Sequence, residues 1–132
     1  MTPFKLKDEK EDGYSEFYWI AHPNRSPNNK LEQKLVKNRY QLEIYGGVSD
    51  PEAHYSYDDV ALVRLDNDYY LLRTSGCSCP SPSETWWIEK GPSTLDEIKK
   101  HVVNNVDGFG VMYNANEDII NLIERTQSSD NS

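Results

Sequence analysis

Apolar residues along this chain fall into short stretches with two different periods. Tyr40-Gln41-Leu42-Glu43-Ile44-Tyr45 alternates, with Leu42 and Ile44 on one face, which predicts a strand that Gly46-Gly47 brings to an end. Val60-Ala61-Leu62-Val63-Arg64-Leu65 and Tyr69-Tyr70-Leu71-Leu72-Arg73-Thr74 flank Asp66-Asn67-Asp68, which has the turn chemistry of a tight hairpin. Trp86-Trp87-Ile88-Glu89 reads as a further strand closed by Gly91-Pro92, and Phe109 to Tyr113 as a final short one. The aromatic density of Tyr14 to Ala21 favours a pleated, half-buried surface, so that stretch reads as the first strand.

Helical spacing appears in three places. Leu31 and Leu35 stand four apart over Lys30 to Asn38, with Asn28 or Asn29 able to cap the start. Thr94-Leu95-Asp96-Glu97 is a capping box, after which Leu95, Ile98, Val102 and Val106 keep to one helical face. Asn116-Glu117-Asp118 opens a last helix, with Ile119, Ile120 and Ile123 expected inward and Leu122 at the flank. The segments His22 to Asn29 and Val48 to Asp59 read as loops by composition. This order predicts an α+β domain: a largely antiparallel sheet of about four to six strands, with two or three helices packed on one face.

Composition narrows the folded part. The chain has 132 residues, of which 36% are hydrophobic, and a mean hydropathy of −0.81, so one modest core is expected. Residues 1–13 form a charged leader and residues 126–132 a polar tail, and neither carries enough apolar surface to offset the entropy of ordering. The single domain is therefore expected over residues 14–125. No apolar run approaches the ~20 residues that span a bilayer, and the N-terminus lacks the apolar core of a secretory signal. A cytoplasmic protein is expected, with no membrane contact.

Charge bears on the partner. The formal charge is −8 and uneven: residues 1–40 hold 8 Lys/Arg against 6 Asp/Glu, whereas residues 41–132 hold 6 against 16. Such a surface repels phosphate backbones, which argues against direct nucleic-acid binding and favours a basic protein, including one whose own groove holds DNA or RNA. The plainer alternative is that the acidity only keeps a small protein in solution.

The chemistry-bearing residues concentrate between positions 50 and 90. Cys77-Ser78-Cys79 sits in a Pro-stiffened loop and offers two thiolates to a zinc ion, although a closed structural site needs four ligands. Only His22, His54 and His101 could complete the set, and none stands at finger-like spacing. Packing of two small reduced side chains is the competing reading, since a bridge between them would close a strained ring. A cysteine nucleophile would need Cys77 or Cys79 beside His54 or His101, oriented by an acid such as Asp58. Asp50, Glu52, Asp58 and Asp59 cluster with Tyr45, Tyr55 and Tyr57, but do not match a hard-cation loop. Tyrosines ringed by negative charge suit protein binding; a solvated loop over the sheet edge is the alternative. Adjacent strand residues point to opposite faces, so Trp86 and Trp87 cannot share one core, and one of them should lie near the surface or be buried beneath the helix over residues 94–106. Lys34, Lys37 and Arg39 read as a solvated helix face.

The run Tyr69 to Pro80, then Trp86 and the Thr94-Leu95-Asp96-Glu97 helix start, resembles a group of small bacteriophage and mobile-element proteins in which a Gly-Cys-Ser-Cys-Pro loop follows a strand. The likeness covers residues 60–105. It implies an accessory protein of a virus-like genome acting in the host cytoplasm, and no activity comes with it. The expected function is a non-enzymatic protein that binds a host protein, in the manner of an inhibitor, through Tyr55, Tyr57, Asp58, Asp59, Glu84, Trp86 and Trp87, with residues 43–68, Glu84 and Glu89 as its acidic face. A zinc module built on Cys77 and Cys79 is the alternative, and a cysteine-dependent enzyme the third reading.

Overall fold

The computed structural model describes residues 3–6, 17–21, 29–49, 56–77, 86–105, 108 and 115–130. Its elements are α1 (Tyr18–Ala21), α2 (Lys30–Lys37), β1 (Glu43–Ser49), β2 (Ser56–Leu65), β3 (Asp68–Cys77), β4 (Trp86–Ser93), α3 (Leu95–Val103) and α4 (Asn116–Asp130). The strands form a four-stranded sheet in chain order, with every neighbouring pair antiparallel. The α+β class and the antiparallel sheet match the expectation from the sequence.

The central hairpin is tighter than the sequence implies. Leu65 pairs with Asp68, so the turn is Asp66-Asn67 alone, with positive φ at both residues (54° and 78°). Two positive φ values give the turn a twist that matches the flanking strands, and Asp and Asn tolerate that region best after glycine. From the turn, β2 and β3 stay in register back to Ser56 opposite Cys77, so Ser56 to Asp59 are strand and not loop.

Gly46-Gly47 does not end β1; the strand runs through to Ser49. Ile44 and Gly46 face consecutive β2 residues, Val63 and Leu62, which leaves Tyr45 as an inserted bulge residue. A Cβ on Gly47 would lie 2.5 Å from the Val60 carbonyl oxygen and 2.6 Å from Phe17 Cε1. Gly47→Ala is therefore expected to cost about 1–3 kcal/mol, read as a lower urea midpoint at unchanged slope. β4 likewise continues through Gly91-Pro92 to Ser93, at the expense of two breaks in its register with β3.

Helices cover both faces of the sheet, not one. Ile44, Ala61, Val63, Tyr70, Leu72 and Trp86 pack with Trp19, Ile20 and Ala21 of α1 and Leu35 of α2. On the opposite face Tyr45, Val60, Leu62, Tyr69 and Leu71 meet Leu95, Ile98 and Val102 of α3 and Ile119, Leu122 and Ile123 of α4. Each fully buried Ile or Leu contributes roughly 1.5–3 kcal/mol. Residues Tyr18 to Ala21, expected as strand, form a helical turn that buries three successive side chains. Arg39, expected on a solvated face, donates from Nε to the Ala21 carbonyl (3.1 Å) and from Nη1 to the Val36 carbonyl (2.9 Å), which ties α1 to the end of α2.

The caps follow the sequence. Asn29 Oδ1 accepts from the Glu32 amide at 2.8 Å, and Thr94 Oγ1 accepts from the Glu97 amide at 3.2 Å. Asn116 Nδ2 donates to the carbonyls of Val102 and Asn105, joining the start of α4 to the end of α3. Leu122, not Ile120, points fully inward on α4. The helix continues past Arg125 to Asp130, with Thr126 buried and its hydroxyl donating to the Leu122 carbonyl at 2.9 Å. At the other end, Phe4 exchanges two backbone hydrogen bonds with Ile44, and Leu6 is buried, so this part of the charged leader belongs to the fold. The expected strand over Phe109 to Tyr113 lies outside the described residues. No helix among the described residues is long and apolar enough to cross a membrane.

Candidate functional site

The strand order brings the sequence-flagged residues to one end of the sheet, opposite the Asp66-Asn67 turn. There β2 begins, β3 ends and β4 begins, with Tyr57 opposite Gly76, Ser56 opposite Cys77, Thr74 opposite Trp86 and Arg73 opposite Trp87. Tyr55, Cys79 and Glu84 lie outside the described residues, as does His54. Tyr57 and Cys77 are placed by backbone register alone.

Asp58 and Arg73 form the centre of this end. Asp58 is 5% exposed and engages Arg73 in a two-pronged pair, Nε to Oδ1 at 2.8 Å and Nη2 to Oδ2 at 2.6 Å. The hydrogen bond to Asp58 holds the Arg73 pKa above its ordinary value, against the opposing pull of desolvation and with added support from the charges of Asp58 and Glu89. Asp58 is thus committed within the fold and is not a free acidic contact for a partner, nor an acid that orients a histidine. Other carboxylates of the expected acidic face are paired too: Glu43 with Arg64 at 3.2 Å, and Asp66 with Lys34 at 3.6 Å. Asp59 is half-buried.

The two tryptophans separate as the strand period requires. Trp86 is 4% exposed and belongs to the α1/α2 core, so it is a packing residue rather than a partner contact. Trp87 lies on the opposite face and is half-buried. The Arg73 guanidinium sits 5.8 Å from the centre of a Trp87 ring, within cation–π range. Trp87 Nε1 donates to Glu89 Oε2 at 3.0 Å, and Glu89 Oε1 lies 3.4 Å from His101 Nε2 on α3. A continuous set of contacts therefore runs from Asp58 through Arg73, Trp87 and Glu89 to His101, across three strands and one helix. The sequence named Asp58, Trp87 and Glu89 but not Arg73, which the β3–β4 register places opposite Trp87.

Among the described residues no three His, Cys, Asp or Glu side chains gather in a way that could hold a metal ion. Near the other edge of the sheet, Gly47 and Val48 of β1 face Asp118, Asn121, Glu124, Arg125 and Ser128 of α4 across an open cleft of about 930 Å³. Its Glu124 is bound by Lys99 of α3 at 3.0 Å. Comparison with known proteins gives no match: no family model fits the chain, and no curated protein or solved structure matches it.

Proposed function

We propose that this chain is a non-enzymatic binding protein that docks onto a basic partner protein through the end of the sheet that carries Trp87. The observation behind this reading is the half-buried Trp87 ring, braced by Arg73 and Glu89 at the sheet end where β2 begins, β3 ends and β4 begins. A large aromatic held in one orientation supplies contact area at little entropy cost, which is how interface anchors work. Internal pairs such as Asp58–Arg73 cancel one charge of each sign, so the overall charge of −8 still attracts a basic surface at long range. The resemblance over residues 60–105 favours a host protein as that partner, with occlusion of a nucleic-acid-binding groove as the mode of inhibition.

The test is affinity capture from host lysate on immobilised wild-type protein and on Trp87→Ala, at low and high salt. A basic protein retained by the wild type should bind Trp87→Ala at least about thirtyfold more weakly, the loss of a central tryptophan anchor. Its retention should also fall as salt rises. Equal capture by both proteins would remove Trp87 as the anchor.

A further inference from the structure

The carboxylate that braces Trp87 is shared with a histidine from another element. Glu89 gives Oε2 to the Trp87 indole N–H at 3.0 Å and turns Oε1 toward His101 Nε2 at 3.4 Å. The Glu89 side chain is 18% exposed and that of His101 34%, so each keeps partial access to solvent. We infer that His101 is a pH-responsive control on the proposed Trp87 docking surface, acting through Glu89. This deepens the binding role proposed above and rests on it for its biological meaning, though not for its test.

The chemistry follows from one proton. A neutral imidazole has a single N–H, whereas the protonated ring donates from both nitrogens and carries a positive charge. On protonation the Glu89–His101 contact becomes a charge-assisted hydrogen bond, shorter and stronger than the neutral one. The carboxylate is drawn toward α3, and its bond to the indole N–H weakens. The negative charge of Glu89 is cancelled at the same time, leaving Arg73 and its partner Asp58 on the other side of the indole. A basic partner then meets a less anionic surface and a less firmly held anchor, so binding is stronger on the alkaline side of the transition.

Among the described residues the charged groups around His101 are few. Glu89 of β4 is in contact, and Arg73 of β3 with Asp58 of β2 lie beyond the Trp87 ring. On α3 itself Glu97 and Lys100 flank it in sequence, with Glu97 turned back to the Thr94 hydroxyl at 3.3 Å. From α4, Glu124 is directed to Lys99 rather than to His101.

The test needs no partner. Nitrogen–proton correlation spectra are recorded from about pH 5 to 8, the range over which histidines ordinarily change charge. The Trp87 indole resonance is assigned by its loss in Trp87→Phe, and the His101 ring protons are followed in parallel. The expected result is one shared midpoint for the Trp87 indole and the His101 ring. In His101→Gln, which keeps a hydrogen-bonding side chain without the titration, the Trp87 indole should no longer move. Glu89→Gln should break the link from the other side, leaving His101 to titrate without Trp87 following. A Trp87 indole that stays still in the wild type, or that titrates unchanged in His101→Gln, overturns the inference. Either result leaves the capture experiment to decide the binding role separately.

Discussion

Arg73→Met should destabilise the protein by about 3–5 kcal/mol, because it takes the pairing guanidinium away from a buried carboxylate. The Asp58 side chain keeps only 3% of its surface in water, and both its oxygens are taken by Arg73. Folding removes that charge from solvent, and the two-pronged guanidinium compensates it at close range. Methionine preserves much of the arginine stem's volume and removes the guanidinium, so the loss measures the lost ion pair rather than a cavity. Replacing both partners, Asp58→Leu with Arg73→Met, should recover most of the stability, since an apolar pair of similar volume carries no desolvation cost. Chemical denaturation of the four proteins in the cycle checks this. A loss below about 1 kcal/mol for Arg73→Met is what an exposed pair would give, and would mean that Asp58 is hydrated in solution.

Trp86→Ala should cost about 3–5 kcal/mol, the range for emptying a large aromatic site in a core. Its ring is 4% exposed and packs among the residues under α1 and α2. Trp87→Ala, one position along on the opposite and more open face, should cost clearly less. The pair separates structure from function within one dipeptide: Trp86 should set stability and Trp87 binding. Equal losses in denaturation would contradict the division of the two side chains between core and surface.

Local chemistry is what the sequence displayed most clearly. Asp66-Asn67, Asn29 and Thr94 act through atoms within a few residues of themselves, so their roles could be read directly. The two-sided packing was also legible, though the expectation of one helical layer passed over it. Val60-Ala61-Leu62-Val63 and Tyr69-Tyr70-Leu71-Leu72 do not alternate, and an unbroken apolar run is what a strand buried on both faces requires. Gly46-Gly47 was ambiguous in principle, because the same pair ends a strand or relieves a bulge. Which one occurs depends on Phe17 and Leu122, distant in sequence, filling the space above and below. Tyr18 to Ala21 shows the limit of propensity: aromatic residues favour strands only where a pleated neighbour exists, and here a helical turn buries Trp19, Ile20 and Ala21. At the candidate site, Trp87 and Glu89, two apart on one strand, were visible by the alternation rule alone, whereas Arg73 needed the β3–β4 register.

A sheet whose spatial order repeats its chain order has a consequence for assembly. Each strand bonds to the one made just before it, so no strand must wait for a distant segment to arrive. The two-residue turn lets β2 and β3 close first at small entropic cost, and each outer strand then adds to an edge already formed. The end of the sheet that carries Trp87 is the far end of that zipper. Asp58 and Arg73 pair across β2 and β3 at that end, so closure from the turn outward would complete the Trp87 surface among the last parts of the sheet.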